Sequence, residues 1–433
     1  MSSISSVRVV HCTHKDRAGR NESRVPINER DRIDYFNPSQ ALFCDHCNEV
    51  VGRYGLQTAG LVRKERVLDI SYDRVPGISF ADEKLFTVRT DQGIRYSPIV
   101  IMAVGPGNQP RIPDIPGITT PSTDGLPPTP HPPGCQTLPP PQAQPPQTCH
   151  AMHIREFPDP TVKQRILAHQ PTNVLIIGGG LTSAQLADLA IRRGVATVWH
   201  MTRGPLRVKL FDVDLAWMGK LKNVEQARFW QADSDAERIA ILKEARGGGS
   251  VTPGYYEVLK GHVASGRLKL FERTKLAGAR FEEVREERGG MWHVQTCPAV
   301  EGLPPMDYIY FATGVETNFE ALPYLQTMLA SHPIVGHGGF PCLNDHLMWK
   351  DGVPLFMAGR LAALKLGPSA PNLGGARLAA ERIARGIEEV MRKECRVLHG
   401  GQDSRHNGKR DGDLMSYVAG TGNMFRSLTE VPS

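Results

Sequence analysis

Residues 173–194 read NVLIIGGGLTSAQLADLAIRRG, and this stretch decides the fold that we predict. It begins with a branched apolar run, Val174–Ile177, which is typical of a buried parallel strand. Three glycines follow directly, and the apolar residues after them recur at helical spacing. Strand, glycine turn and helix in this order form the first part of a dinucleotide-binding βαβ unit.

Each position of this turn has a physical role in such a unit. Gly178 permits the tight turn, Gly180 lets the backbone approach a pyrophosphate, and the small Ser183 occupies the third position of G-x-G-x-x-G. The N-terminus of the next helix offers free N–H groups and the positive end of its dipole. An ordinary glycine-rich turn is the alternative. The nucleotide-binding candidates are Gly178, Gly179, Gly180, Leu181, Thr182 and Ser183.

The next predicted strand, Val195–Met201, indicates which nucleotide binds. Its end carries Thr202 and Arg203, where an NAD site would place an Asp or Glu. Arg207 and Lys209 follow closely. A guanidinium can pair with the 2′-phosphate of NADP, whereas a carboxylate would repel it. We therefore predict NADP(H), with Arg203 as its main contact and Thr202 beside it; a solvated arginine at a strand end is the alternative.

Length and composition limit the classes of function. The 433 residues favour two or three domains, and the net charge of +6 is small for this length. The basic residues are scattered and not interleaved with aromatics, so nucleic-acid binding has little support. No apolar run could cross a bilayer, the N-terminus lacks a signal core, and the eight cysteines are spread out. We therefore expect a cytoplasmic protein with free thiols.

Several segments outside the nucleotide unit carry their own predictions. Pro38–Leu56 predicts a helix that contains Cys44 and Cys47 at C-x-x-C spacing. A redox dithiol is possible, but such motifs normally begin a helix, and packed helical thiols are the alternative. Residues 119–149 are dominated by proline and predict a polyproline II surface insertion. Val224–Arg246 predicts one long charged helix.

Two predicted strands run into turns of small residues. Ile94–Val104 leads into Gly105, and Asp307–Phe311 leads into Ala312-Thr313-Gly314. Because the two strands lie on either side of the nucleotide unit, they suggest a second domain that this unit interrupts. Pro354–Gly359 predicts another short strand that ends in glycine, with a helix further on from about Gly374.

With these segments in place, the chain resembles the two-dinucleotide-binding-domain flavoproteins. Within them it is most similar to the N-hydroxylating and Baeyer–Villiger-type monooxygenases, in particular proteins related to L-ornithine N5-monooxygenase. Four segments in order carry the resemblance: MAVGPGNQPRIPDIPG (102–117) resembles the first Ala-Thr-Gly linker, GGGLTSA (178–184) the NADP fingerprint, DYIYFATGVE (307–316) the second linker, and LFMAGRLAALKLGPSAPNLGGAR (355–377) the C-terminal flavin-contacting segment.

The resemblance implies an α/β fold of the Rossmann-like, three-layer FAD/NAD(P)-binding type, with an NADP domain inserted in an FAD-type domain. It implies FAD beside NADP(H). Arg360 stands where many relatives carry Asp. The cofactor contacts implied by the linkers and the C-terminal segment are Gly105, Ala312, Thr313, Gly314, Gly359, Arg360, Leu366 and Pro368.

The resemblance also implies an activity. NADPH would reduce the flavin, and the reduced flavin would react with O2 to give a C4a-(hydro)peroxide that oxygenates an amine or carbonyl of a small-molecule substrate. The cofactor carries this chemistry, so no catalytic residue is assigned, and no metal-ligand spacing is present. His150 and His153 precede the nucleotide unit, where structural roles are expected. The alternatives are a disulfide or quinone reductase that uses Cys44 and Cys47, and a non-catalytic NADP(H)-binding protein.

One part of the family pattern is missing. Such flavoproteins begin with their own strand–GxGxxG–helix for the ADP half of FAD, and near the N-terminus this chain has only a possible strand at Val7–Val10. We expect either a truncated product or the loss of the usual FAD binding. The predicted division is 1–34 as a segment without motifs, 35–118 and 304–395 as the FAD-type domain, 119–150 as the Pro-rich insertion, 151–303 as the NADP-binding domain, and 396–433 as a disordered tail.

Overall fold

The computed structural model describes residues 39–58, 60–79, 83–105, 107, 110–118, 146–219, 221–283 and 289–398, with side chains to residue 392. The chain divides into two units, one that ends at Leu56 and one that begins at Gln57. The possible strand at Val7–Val10, most of the Pro-rich segment and the predicted tail lie outside the described residues. Among the described helices, none is long and apolar enough to cross a membrane.

Helix α1 (Gln40–Arg53) belongs to the first unit. It begins after Ser39, whose hydroxyl accepts a hydrogen bond from the Leu42 N–H at 3.2 Å, a typical N-cap. Cys44 and Cys47 are both exposed in the middle of this helix. The prediction of packed helical thiols is therefore wrong, because the apolar spacing that predicted the helix does not say whether its apolar face is covered.

The second unit contains fifteen described strands and eight described helices. In chain order these are β1 (Val67–Asp73), β2 (Leu85–Thr90), β3 (Gly93–Ser97), β4 (Val100–Met102), β5 (Thr148–His150), α2 (Pro160–Leu167), β6 (Asn173–Ile177), α3 (Leu181–Arg192), β7 (Thr197–Met201), α4 (Lys222–Trp230), α5 (Asp235–Arg246), α6 (Pro253–Ala264), β8 (Leu268–Phe271), β9 (Lys275–Glu283), β10 (Gly290–Cys297), β11 (Tyr308–Phe311), α7 (Gln326–Ser331), β12 (Gly336–His337), β13 (Phe340–Pro341), β14 (Met348–Lys350), β15 (Val353–Met357), α8 (Ala363–Leu366) and α9 (Leu373–Leu398).

A five-stranded parallel sheet is the centre of the predicted nucleotide unit. Its strand order is β5-β11-β6-β7-β8, and each neighbouring pair is parallel. The fully buried residues of β6 alternate between its two faces. Val174 and Ile176 pack with α3 and α6, whereas Leu175 packs with the β9–β10 hairpin. Helices, sheet and hairpin form the three layers that the resemblance implied. Because the sheet includes β5 and β11, it extends beyond residues 151–303, the predicted bounds of the NADP-binding domain.

A smaller sheet, in the order β14-β15-β4, joins the chain before the parallel sheet to the chain after it. Leu355 of β15 pairs in parallel register with Val100 of β4. All of β15 is buried, and helices α4, α5 and α9 pack in the same core. In the chain, the five-stranded sheet is therefore inserted between two parts of another α/β domain, the one built on β4 and β15. This confirms the predicted fold class.

Two predicted elements are each interrupted. Pro98, which has no N–H for a strand ladder, separates β3 from β4 within the predicted strand Ile94–Val104. The predicted helix Val224–Arg246 is two helices, α4 and α5. Ser234 begins the second, with its hydroxyl accepting from the Glu237 N–H at 3.2 Å. This S-x-x-E capping box was a signal in the sequence that our prediction missed.

Candidate functional site

The glycine turn between β6 and α3 lies against the turn that follows β11. A Cβ on Gly178, whose φ is +155°, would overlap the carbonyl oxygen of Ala312. The N–H of Gly178 donates to Met201 O at 3.0 Å, and the N–H of Ala312 donates to Ile177 O at 2.7 Å. Only glycine fits at position 178, and the second Ala-Thr-Gly element begins beside the nucleotide turn.

The N-terminus of α3 has the features of an anion site. Gly180 is its N-cap, and no side chain caps the helix. Ser183 is buried, and its hydroxyl and its N–H both donate to Gly180 O, at 2.6 and 3.1 Å. Leu181 is half-buried and Thr182 is exposed at the first turn. Unsatisfied N–H groups and the helix dipole favour a phosphate at this position.

A second glycine loop, 247–249, lies directly on this turn and was not predicted as part of the site. A Cβ on Gly249 would come within 3.1 Å of Gly179 O and Gly180 N. Arg207 donates to the carbonyl of Gly247, and Lys209 Nζ donates to Arg246 O at 2.7 Å. These two basic side chains therefore hold the loop in place. Three consecutive glycines after a helix were the available signal.

The two residues predicted at the end of β7 have different environments. Thr202 is buried, and its hydroxyl donates to Gly204 O at 2.6 Å, so it supports the turn from within. Arg203 is exposed. Within the part of the chain that the structure describes, its guanidinium has no hydrogen bond or ion pair. Arg203 is therefore available to an anionic ligand.

His200 is a further residue of the site that sequence reasoning missed. It is fully buried on β7, and its Nε2 lies 2.8 Å from the carbonyl oxygen of Gly178. An imidazole N–H that donates here fixes the orientation of the glycine turn. Burial lowers the pKa of His200 to about 4, and the hydrogen bond to Gly178 only partly opposes that shift. The ring is therefore neutral at pH 7.

We expect His200 to make the fold sensitive to acid. The unfolded chain would bind a proton here below a pH of about 6.5, whereas the folded chain resists protonation down to about 4. The free energy of unfolding should then fall by about 1.4 kcal/mol for each unit by which the pH is lowered within this window. Urea unfolding at pH 7 and pH 5 checks this. His200→Gln keeps a donor without titrating and should show a shallower pH dependence; an identical dependence would contradict the assignment.

The two Ala-Thr-Gly-like linkers are joined to each other. The N–H of Arg111 donates to Gly314 O at 3.0 Å, Thr313 donates through its hydroxyl to the carbonyl of Arg111, and Pro110 and Val315 form an antiparallel bridge. The linkers therefore run side by side where the chain passes between the two sheets.

His150 lies near these linkers and has structural partners. Its Nδ1 accepts from the Met152 N–H at 3.2 Å and so caps a short 3-10 turn. Burial lowers the pKa of His150, and a backbone interaction with Gly314 partly offsets this.

The C-terminal segment contributes open backbone at one end and core residues at the other. Gly359 has a φ of +69°, and a Cβ there would meet nothing within 4 Å. Arg360 is half-buried, and burial together with the nearby Arg246 lowers its pKa. Leu366 packs in the core, and the buried Pro368 accepts through its carbonyl from Arg246 Nη1 at 3.1 Å. Leu366 and Pro368 therefore lie in the protein interior and support this segment by packing against it.

The comparisons with known proteins agree in fold. In sequence, the chain matches no protein-family model and no curated protein. In structure, it is similar to the ornithine N-hydroxylase KtzI of Kutzneria sp. 744, with a TM-score of 0.55, 16% identity, and coverage of 82% of this chain and 78% of that one. The cadaverine monooxygenase DfoA of Erwinia amylovora gives 0.51 at 13% identity and covers 77% and 71%. The L-lysine 6-monooxygenase of Pseudomonas syringae gives 0.50 at 15% identity and covers 79% and 75%.

The chain has the fold of these monooxygenases. This confirms the predicted resemblance at the level of fold. Among the predicted residues, Gly178 and Ala312 meet at the nucleotide turn, and the linkers meet each other at Arg111 and Gly314. Arg246 connects the C-terminal segment to the nucleotide side, because it also pairs with Asp212 at 2.5 Å.

The described residues fit the two halves of FAD differently. β4 and β15 are neighbouring parallel strands, and Gly105 and Gly359 follow their carboxyl ends with φ of +61° and +69° and with open space beside them. Ligands bind to α/β sheets at this edge, so the flavin half fits. The part of the chain with described structure contains no second glycine-rich strand–helix turn. Among the described strands, β4 pairs only with β15, so its other edge is open, and Ile101 on β4 is 51% exposed.

Proposed function

We propose that this chain is an NADPH-dependent, flavoprotein monooxygenase-like oxidoreductase that oxygenates an amine or a carbonyl of a small molecule. The contact between Gly178 and Ala312 carries the proposal, because it joins the nucleotide turn to the linker that leads to the α/β domain built on β4 and β15. The named neighbours support the class: the KtzI structure holds reduced FAD, NADP+ and L-ornithine, and the DfoA structure holds FAD.

The residues of this chain would do the binding and positioning. The N-terminus of α3 would hold the pyrophosphate of NADPH, and Arg203 would pair with the 2′-phosphate. Gly249 packs against the glycine turn beside this position. A bound flavin would supply the hydride acceptance and oxygen activation that side chains cannot. Gly105 and Gly359 would face the flavin, and no side chain is assigned to proton transfer.

The domain division would follow from this function. The predicted division has residues 35–118 and 304–395 as the FAD-type domain, but β11 pairs within the parallel sheet and would belong with residues 151–303 in the NADP-binding domain. The open edge of β4 is where the first strand of an FAD-type domain would pair. Among the residues that the structure describes, none forms the first strand and glycine turn that would hold the ADP half of FAD.

The absorption spectrum of the purified full chain tests the proposal. The protein would be mixed with FAD, desalted and scanned in the visible range. We expect retained flavin bands, bleaching by NADPH without oxygen, and NADPH oxidation that amines or ketones accelerate. A colourless protein that still binds NADPH would overturn the monooxygenase proposal and favour a non-catalytic NADP(H)-binding protein. Loss of turnover in Cys44→Ser, with flavin retained, would favour a disulfide reductase.

Arg203 should set the preference for NADPH over NADH. Arg203→Asp replaces a free guanidinium with a charge that repels the 2′-phosphate, so we expect the Kd for NADPH to rise about 100-fold, or about 2.8 kcal/mol, with little change for NADH. Fluorescence titration with both nucleotides measures this. Arg280→Asp is the control, because Arg280 is an exposed arginine on β9 beside Glu282. Equal weakening of both nucleotides by Arg203→Asp would contradict a 2′-phosphate contact.

A further inference from the structure

Three side chains of different chemistry meet outside the nucleotide and linker turns. Asp235 begins α5, His337 ends β12, and Cys342 directly follows β13. Each offers one ligand atom, and these atoms lie within 4.8 Å of one another. The Sγ of Cys342 lies 3.3 Å from Oδ2 of Asp235.

Helix α5 and the β12–β13 hairpin hold the cluster. The β12–β13 hairpin turns through Gly338 and Gly339, whose φ values are +57° and +83°. A Cβ on Gly338 would come within 3.0 Å of Ile239 on α5, and a Cβ on Gly339 would overlap the carbonyl oxygen of Thr317. The hairpin is therefore pressed closely against the helix that carries Asp235. The capping box at Ser234 fixes the first turn of that helix.

Asp235 is the one carboxylate of the cluster, and Arg238 and Lys365 are positively charged groups near it. Burial by itself would raise the pKa of Asp235, but the hydrogen bonds from Arg238 and Cys342, together with the positive charges of Arg238 and Lys365, lower this pKa overall. Arg238 binds Oδ1 at 2.7 Å and leaves Oδ2 facing Cys342. Burial and the Asp235 carboxylate raise the pKa of Cys342 to about 11, so the thiol keeps its proton until a cation displaces it.

We propose that Asp235, His337 and Cys342 bind one zinc-class divalent cation, with water as the fourth ligand. Zinc takes thiolate, imidazole and carboxylate ligands and is four-coordinate, with water as the fourth ligand where the protein supplies three, whereas magnesium and calcium prefer oxygen ligands. Tetrahedral Zn–S and Zn–O bonds of about 2.3 and 2.0 Å place the two ligand atoms about 3.5 Å apart. Binding forms the Zn–S bond and releases the thiol proton of Cys342 to solvent.

Metal titration of the full chain tests the proposal. The chain also carries Cys44, His46 and Cys47 in α1, so the experiment uses the Cys44→Ser/Cys47→Ser background after chelator treatment and dialysis. We expect one Co²⁺ per chain, with a thiolate-to-cobalt charge-transfer band that Zn²⁺ abolishes by competition. Zn²⁺ affinity should fall as the pH is lowered, because the cation must displace the thiol proton of Cys342.

The variants identify the ligands. Loss of an outer-shell partner of a metal ligand costs about 10–100-fold in affinity, so loss of a ligand should cost at least about tenfold. Cys342→Ser should remove the cobalt band, and His337→Gln should weaken Zn²⁺ binding at least about tenfold. The exposed Cys297 and His293 supply the controls Cys297→Ser and His293→Gln, which should bind as the background does.

A separate measurement covers the case in which a variant does not fold. Zn²⁺ should slow the modification of Cys342 by a thiol reagent in the Cys44→Ser/Cys47→Ser chain, as located by peptide mapping. Unchanged cobalt spectra in Cys342→Ser, or modification of Cys342 at the same rate with and without Zn²⁺, would overturn the proposal. The cluster would then be a thiol that donates a hydrogen bond to a carboxylate.

Discussion

Gly178→Val should abolish NADPH binding and lower the free energy of unfolding by about 3 kcal/mol. The cause is the lack of space, since a Cβ at this position would overlap the carbonyl oxygen of Ala312. To accommodate valine, either β11 or the glycine turn must move, and either shift disturbs the N-terminus of α3. Urea unfolding gives the stability, and equilibrium dialysis gives the binding of NADPH.

Two other glycines serve as comparison variants: one is a control, and the other separates NADPH binding from stability. At Gly204, just beyond β7, a Cβ would meet nothing within 4 Å, so Gly204→Ala should change neither quantity. At Gly180 a Cβ would lie 3.7 Å from Gly249, an ordinary contact, so Gly180→Ala should keep the fold and weaken NADPH binding. Wild-type NADPH affinity in Gly178→Val would show that the nucleotide binds elsewhere.

Arg165→Met should lower the free energy of unfolding by about 3–5 kcal/mol, because it leaves a buried carboxylate without its cation. Arg165 Nε on α2 lies 2.8 Å from Oδ1 of Asp307, whose side chain is 3% exposed. The other oxygen of Asp307 accepts from the Asn173 N–H at 2.6 Å. The pair therefore fixes the start of β11 beside the start of β6.

A double-mutant cycle isolates this pair. Arg165→Met combined with Asp307→Asn removes both charges and should recover part of the lost stability. Arg192→Met is the matched control, because Arg192 lies on α3 and pairs with Asp188 while 69% exposed; its loss should cost at most about 1 kcal/mol. If Arg165→Met cost no more than Arg192→Met, the buried pair would not be what holds β11.

The parts of the fold that were predicted well are those that depend on local sequence. β6, the glycine turn and α3 follow one another as predicted. The periodicity of a buried strand and the freedom of three glycines are properties of the chain itself. The exposure of Cys44 could not be predicted, because it depends on what packs against α1.

The candidate site was only partly predictable for the same reason. Gly178 and Arg203 lie within a motif whose spacing is local. Gly249 and His200 belong to the site only because folding brings them against the glycine turn. Arg207 was grouped with Arg203 by its charge, yet it binds the loop carbonyl of Gly247, a partner that is distant in sequence.

The pairing of β4 with β15 has a consequence for how the chain folds. The whole five-stranded sheet lies between these two strands, and the entropic cost of closing an unfolded connection grows with its length. Once that sheet has formed, β5 and β11 are neighbours, and the connection becomes effectively short. Contacts between distant residues form late, so the β4–β15 pairing should follow the collapse of the inserted sheet. Substitutions in β4 would then speed unfolding far more than they slow refolding.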